Sequence, residues 1–133
     1  SWEDHLNWVG VDFVGSVSQK ELHKILSTID YWIYPTDYEE TYCITALEMQ
    51  AMRVCCITSR CAALENTVSN RGILIGSESG DEKEFFNQFV SNAIYLENTP
   101  DDKEKLLNRA QEWAHMQSWE RRAEEWVKLI EFN

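Results

Sequence analysis

Residues 31–58 read YWIYPTDYEETYCITALEMQAMRVCCIT, and this stretch decides the fold of the 133-residue chain. It opens with an aromatic and aliphatic run that ends at Pro35, which predicts a strand. A polar loop follows, and the mostly apolar residues 41–52 after it are typical of a buried helix. The closing letters VCCIT show no polar alternation, as expected for a strand that is covered on both faces. A strand, a helix and a strand in this order predict a parallel sheet.

The segments on either side continue the alternation of strand and helix. Residues 11–14, VDFV, predict an earlier strand, and SQKELHKILSTI predicts an amphipathic helix with a capping box formed by Ser18 and Glu21. Downstream, CAALENTV predicts a short helix and GILIG predicts a further strand. Three helices follow, of which the second begins with Thr99 as its N-cap and the third with Ser118.

We therefore expect an α/β fold, namely a Rossmann-like parallel sheet of about four strands with flanking helices and a helical C-terminus. No Gly-rich or low-complexity stretch separates the C-terminal helices from the rest, so we expect a single domain over residues 1–133. Because the chain starts with Ser1 and not with Met, we interpret it as a fragment of a longer protein.

The composition narrows the class of protein. Apolar residues make up 44% of the chain, enough for a core, and the formal charge of -11 opposes nucleic acid as a partner. No run approaches the roughly 20 apolar residues that a membrane span needs. The four cysteines, Cys43, Cys55, Cys56 and Cys61, form no C-x-x-C pair, so we interpret them as buried, reduced thiols and not as zinc ligands. We expect a cytoplasmic protein.

Two glutamates, Glu40 and Glu48, are separated by seven residues in the central helix-forming stretch. If both lie on one helix, they are about 12 Å apart along its axis and on broadly the same side. Thr41, Thr45 and Glu48 then form a polar stripe, and Thr41 or Glu40 caps the helix. A buried carboxylate needs hydrogen-bond donors, which the hydroxyls of a sugar supply.

A simpler interpretation of the same pattern stays open. Glu48 is then exposed, or it is bonded to Arg53, to Arg60 or to a backbone amide, and no ligand is involved. The position of the segment favours a ligand, because ligands of parallel α/β sheets bind at the carboxyl ends of the strands. The amides at the start of the following helix also form an anion site.

Residues 13–59, together with NRGILI and QSWERRAEEW further on, resemble the C-terminal, donor-binding domain of GT-B fold glycosyltransferases. The resemblance is to the large retaining group that carries an E-x7-E motif (glycosyltransferase group 1, family 4-like). The positions that carry it are Gly15, Glu21, Leu22, Asp30, Tyr34, Pro35, Thr36, Glu40, Glu48, Cys56, Ile57, Gly72, Ser118 and Trp119.

The resemblance implies a role for each glutamate. Glu40 matches the catalytic glutamate that contacts the transferred sugar, and Glu48 matches the one that binds the nucleotide ribose. Backbone amides at the helix start approach the donor phosphates. The implied donor-binding residues are Glu48, Thr41, Tyr42, Cys43, Ile44 and Thr45.

The resemblance also implies a reaction and its partners. A hexosyl group passes from a nucleotide-diphosphate sugar to an acceptor with retention, and neither a metal nor another cofactor is required. The family has a second Rossmann-like domain, which this chain does not contain, so we expect the isolated fragment to be inactive. A non-catalytic GT-B-like binding or interaction module is the alternative. A receiver-like domain is disfavoured, because only Asp30 and Asp37 lie near strand ends.

The chain departs from the family pattern at four positions. Thr41 and Cys43 stand where the loop usually has glycines, and Cys55 replaces a proline. Arg53 stands where a glycine usually ends the helix in a left-handed conformation. None of these changes removes a carboxylate, so the phosphate geometry is affected more than the identity of the site.

Overall fold

Three parallel strands form the sheet of this protein in a computed structural model that describes residues 10–39, 43–76 and 80–117. The strands are β1 (Tyr31–Tyr34), β2 (Cys55–Ser59) and β3 (Ile73–Ile75), and they are ordered β1-β2-β3. Tyr31 lies opposite Cys55 and Ile57 lies opposite Ile73, so the strand order follows the chain order. The α/β fold with a Rossmann-like parallel sheet is confirmed.

Helices connect the strands, and two long helices come after the last strand in the chain. These two helices are joined at Thr99, and the second of them packs against the helix between β1 and β2. The helices are α1 (Gln19–Leu26), α2 (Ile44–Ala51), α3 (Leu64–Thr67), α4 (Glu82–Asn98) and α5 (Pro100–Met116), with a 3₁₀ turn at Ser69–Arg71 between α3 and β3.

Each face of the sheet is covered by different helices, because successive side chains of a strand point to opposite faces. On one face, Trp32 and Cys56 pack with residues of α1, α2 and α3. On the other face, Cys55 packs with Leu96 of α4 and Leu106 of α5. All residues of β2 are buried, as predicted from its lack of polar alternation.

The ends of the helices follow the capping signals of the sequence. Ser18 Oγ accepts a hydrogen bond from the Glu21 amide at 3.2 Å, which confirms the N-cap of α1. Pro100 occupies the first turn of α5, and Thr99 is its N-cap residue. The Thr99 hydroxyl makes no capping hydrogen bond to α5, and it donates instead to the carbonyl of Tyr95 at 2.7 Å. The position of this cap was therefore predicted correctly, and its hydrogen bond was not.

The strand predicted at residues 11–14 is not formed. These residues have no regular structure, and Phe13 and Val14 are 61% and 58% exposed. A strand exists only through hydrogen bonds to a neighbouring strand, and β1 pairs with β2 alone among the strands that the structure describes. The local residue types favour a strand, but the segment does not join the described sheet.

Arg53 joins α2 to β2 in a left-handed backbone conformation, with φ of 59°. This is the conformation that a glycine adopts most easily at a helix end. The Arg53 guanidinium contacts α5, where it bonds Glu104 Oε1 at 2.8 Å, Asn108 Oδ1 at 3.0 Å and Gln111 Oε1 at 3.1 Å. The arginine thus ties the end of α2 to α5.

Three of the four cysteines are buried, and none of the four is in a disulfide. Cys61 is only half-buried, which corrects the expectation that all four lie in the core. Ser118 and Trp119, and with them the helix predicted after Ser118, lie outside the described residues. Within the described ranges, no helix combines the length and the apolar character that a bilayer crossing requires.

Candidate functional site

The loop that follows β1 is held against the end of β2. Ser59 Oγ accepts a hydrogen bond from the Thr36 amide at 2.7 Å, and the Cys61 thiol lies 3.6 Å from the carbonyl oxygen of Tyr38, to which it donates. Thr36 Oγ1 in turn accepts from the Tyr38 amide at 3.0 Å. The carboxyl end of β2 therefore positions the loop that leads towards the first helix-forming residues of α2.

Helix α2 begins later than the sequence predicts. Its first residue is Ile44, and its N-cap residue is Cys43, whose side chain makes no capping hydrogen bond. The expected cap at Thr41 or Glu40 is therefore wrong. Glu40, Thr41 and Tyr42 lie outside the described residues, so the predicted helical spacing between the two glutamates stays a prediction, and of the two only Glu48 is described, on α2.

One side of α2 faces outward, which corrects the prediction of a helix buried all round. Ala46, Met49 and Gln50 are buried, whereas Ile44 and Thr45 are exposed and Glu48 is half-buried. The predicted polar stripe is present in its second half, because Thr45 and Glu48 lie on the outward side. Cys43, the remaining candidate residue in the described part, is buried in the core next to α1.

Glu48 is held by a residue that the sequence did not indicate. Gln19, the first residue of α1, donates from Nε2 to Glu48 Oε1 at 3.2 Å. Arg53 is bonded to α5 and Arg60 lines a separate cavity, so neither arginine neutralises Glu48. Gln19 was missed because it lies 29 residues away, and no local pattern marks a polar residue after an N-cap as the partner of a distant glutamate.

A cavity of about 540 Å³ opens at the carboxyl ends of all three strands, next to the start of α4. Its position agrees with the rule that ligands bind at this edge of parallel sheets. Glu48 and Thr45 are not among its lining residues, so the cavity and the Glu48 position are separate features. The lining residues are Pro35, Thr36, Asp37, Ser59, Arg60, Cys61, Ile75, Gly80, Asp81, Glu82, Phe85 and Phe86.

The clearest pKa shifts lie away from this edge. Burial raises the pKa of the Cys55 thiol at the start of β2 to about 11, and burial together with the neighbouring thiols raises the pKa of Cys56 further. Partial burial and the hydrogen bond to Glu97 raise the pKa of Tyr31, the first residue of β1. Because these groups lie at the amino ends of the strands or inside the core, their shifts are structural.

No group of three metal-binding side chains is found in the ranges that the structure describes. The model of one protein family, described as glycosyl transferases group 1, matches residues 2–92, which is more than half of the chain. The matched region includes the three strands, α2 and both glutamates. No curated protein sequence matches the chain significantly. The chain belongs to the group 1 glycosyl transferases, enzymes that transfer a sugar from a donor to an acceptor.

Proposed function

We propose that this chain is the donor-binding part of a retaining glycosyltransferase that uses a nucleotide-diphosphate sugar. In this proposal, Glu48 binds the ribose hydroxyls of the donor and Glu40 contacts the transferred hexosyl group. The backbone amides of Thr41 and the residues up to Thr45 approach the diphosphate, with Tyr42, Cys43 and Ile44 between them.

The surroundings of Glu48 carry this proposal. Its carboxylate is half-buried on the outward side of α2, and one oxygen accepts from Gln19. Among the described residues, no basic side chain pairs with it, and no further hydrogen bond to its second oxygen is formed. An ionised carboxylate only accepts hydrogen bonds, so the second oxygen is suited to a ligand that donates. The two adjacent hydroxyls of a ribose are such donors.

The start of α2 supports a position for the diphosphate. The side chain of the N-cap residue Cys43 makes no capping hydrogen bond, and the first turn of the helix contains no acidic residue. The first amides of a helix and the helix dipole together favour an anion at such a terminus. The first residue of α2, Ile44, precedes Glu48 by four residues, or about one turn of helix, which is compatible with one donor molecule reaching both.

The proposal extends to the whole protein. Residues 1–133 are one domain of a longer chain, and an upstream Rossmann-like half supplies the rest of the active site and the acceptor contacts. The chemistry requires no metal, and the protein works in the cytoplasm. The isolated chain then binds the donor weakly and transfers no sugar.

A titration of the 133-residue chain with UDP-glucose and with GDP-mannose tests the donor assignment. In amide NMR spectra, we expect one of the two to shift the signals of Gln19, Thr45 and Glu48. Glu48→Gln should weaken the binding by about tenfold or more, because a hydrogen bond to a charged group is worth about 1.5–3 kcal/mol. Glu112→Gln, at an exposed position of α5, is the matched control and should leave the affinity unchanged.

Two results would contradict the proposal. If neither nucleotide-sugar shifts these signals, or if Glu48→Gln binds as tightly as the parent chain, Glu48 does not hold the donor. The alternative of a non-catalytic binding module is tested separately, by assaying sugar transfer with the chain extended at its N-terminus. Donor binding without transfer by the extended protein favours the module.

A further inference from the structure

The cavity at the carboxyl edge of the sheet is not used by the donor contacts proposed above. It lies between the loop after β1, the end of β2 and the start of α4, whereas Glu48 lies between α1 and α2. Its volume of about 540 Å³ is within the range of small-molecule sites, which is about 300–1,000 Å³. Its lining combines two phenylalanines with several charged groups, so its chemistry indicates a class of ligand.

The aromatic wall is rigid at its base and exposed at its rim. The ring of Phe85 packs edge-on against the buried Phe89, with ring centres 5.2 Å apart and an angle of 81° between the planes. Phe86 lies 5.5 Å from Phe85 and is 45% exposed. An exposed aromatic ring with a fixed neighbour offers an apolar surface to one face of a flat ligand. The C–H face of a pyranose ring has this shape and character.

The polar lining of the cavity contains both hydrogen-bond acceptors and a hydrogen-bond donor. The carboxylates of Asp37 and Glu82 and the guanidinium of Arg60 have no side-chain hydrogen bond among the residues that the structure describes. Asp81, by contrast, is engaged, because its carboxylate accepts from the Lys83 amide at 3.0 Å. A carboxylate only accepts hydrogen bonds and a guanidinium only donates them. Hydroxyl groups do both, so a polyol satisfies both kinds of group at once.

The charges of the cavity disfavour an anionic ligand. Asp37, Asp81 and Glu82 contribute three carboxylates against the single guanidinium of Arg60, and the whole chain has a formal charge of -11. A phosphate in this cavity would face net repulsion at short range, where the interaction is least screened. The cavity is therefore unsuited to the diphosphate of a donor and suited to a neutral, hydroxyl-rich ring.

We propose that this cavity binds a neutral sugar ring of the acceptor, stacked on Phe86 and hydrogen-bonded to Asp37 and Arg60. The assignment to the acceptor rests on the proposed function, whereas the sugar site itself does not. Asp37 precedes Glu40 by three residues, a length of chain that spans at most about 10 Å. The cavity thus adjoins the loop that carries the glutamate proposed to contact the transferred sugar.

Amide NMR of the 133-residue chain tests this site with two probes, methyl α-D-glucopyranoside and methyl α-D-mannopyranoside. We expect at least one of them to shift the signals of Arg60, Gly80 and Phe86, and we expect inorganic phosphate not to do so. Phe86→Ala should weaken the binding by about fivefold or more, because it removes the stacking surface. Val90→Ala is the matched control, since Val90 is also an exposed apolar residue, one turn further along α4 and outside the cavity lining.

A second variant tests the site without removing the aromatic ring, whose loss could also disturb the packing of α4. Asp37→Asn keeps the size of the side chain and should also weaken glycoside binding, because a charge-assisted acceptor is lost. The site is overturned if neither glycoside shifts these signals, if phosphate shifts them instead, or if Val90→Ala weakens binding as much as Phe86→Ala. A chain that binds UDP-glucose through Glu48 but no glycoside at Arg60 overturns this inference alone. Glycoside binding without nucleotide-sugar binding overturns only the donor assignment.

Discussion

Gln19 and Glu48 join the first turn of α1 to the second turn of α2 through a hydrogen bond of 3.2 Å that spans 29 residues of sequence. The amide occupies one oxygen of the carboxylate and fixes the direction of the other. A carboxylate held in this way loses less conformational entropy when it binds a ligand than one that rotates freely. In the donor site proposed above, Gln19 therefore acts as a positioning residue for Glu48.

Substitution of Gln19 is expected to weaken donor binding without unfolding the chain. Gln19→Ala removes a net contribution of about 0.5–1.5 kcal/mol, so the affinity for the nucleotide-sugar should fall about 2- to 10-fold. Gln19→Glu should weaken it further, because two like charges then meet at hydrogen-bond distance. Calorimetric titration measures the affinity, and thermal melting checks that the variant remains folded. Lys20→Ala, at the next exposed position, is the control, and equal losses for Lys20→Ala and Gln19→Ala would contradict the positioning role.

Arg53 combines a strained backbone with a stabilising side chain, and the two effects are separable. Arg53→Ala keeps the left-handed conformation but loses the contacts to α5, which should lower the free energy of unfolding by about 1 kcal/mol for this partly exposed group. Arg53→Gly loses the same contacts but relieves backbone strain of about 1 kcal/mol. The glycine variant should therefore be more stable than the alanine variant, as measured by urea unfolding.

The same pair of substitutions at Arg109 provides the matched control. Arg109 is exposed in the right-handed backbone of α5, where glycine is less favourable than alanine by about 1 kcal/mol. The order of the two variants should therefore be reversed at this position. If glycine were the less stable replacement at both positions, the left-handed conformation of Arg53 would not be strained.

Gly72 permits a close approach between the end of the 3₁₀ turn and β2. A Cβ atom at this position would lie 2.5 Å from the carbonyl oxygen of Cys56 and 2.8 Å from Cγ1 of Val68. Gly72→Ala should lower the free energy of unfolding by about 2 kcal/mol or more, because the backbone oxygen has no room to move away. Urea unfolding measures the loss.

A second substitution shows which of these two contacts decides the cost. In a Val68→Ala background the side-chain contact is absent, and the contact with the Cys56 oxygen remains. Most of the cost of Gly72→Ala should therefore persist in that background. A cost that disappears would mean that only the Val68 side chain limits the space.

Buried thiols should make the protein less stable in alkaline solution. Burial raises the pKa of Cys55 from 9.0 to about 11, so the folded state keeps a proton that the unfolded chain releases. The contribution of the protonated Cys55 thiol to the free energy of unfolding is fully present below the unfolded pKa of 9.0, and it is lost as the pH rises towards about 11. The free energy of unfolding should fall over this range by up to about 1.4 kcal/mol per pH unit for each such thiol.

Two cysteine variants test whether the buried Cys55 thiol causes this decrease of the free energy of unfolding with pH. Urea unfolding at several alkaline pH values, under reducing conditions, should show a flatter decline for Cys55→Ala than for the parent chain. Cys61→Ala leaves the buried thiols in place and should keep the parent slope. An unchanged slope in Cys55→Ala would show that other groups cause the alkaline loss.

Much of the fold was predictable because its signals are local. The N-cap at Ser18, the proline at the start of α5 and the unbroken apolar run of β2 each depend on a few neighbouring residues. The strand at residues 11–14 had equally favourable residue types, but a strand requires a neighbour. The start of α2 was also misplaced, because residues 41–43 carry side chains that are compatible with either a loop or a helix.

The amino-acid sequence alone specified the α/β fold and the presence of a glutamate on the helix between the first two strands. The tertiary structure decided that Gln19 meets that glutamate, that Arg53 and Arg60 do not, and that Phe86 and Asp37 face one cavity. These contacts join residues that are far apart in the chain. Their approach is set by how the helices pack on the two faces of the sheet, which no short pattern of residues encodes.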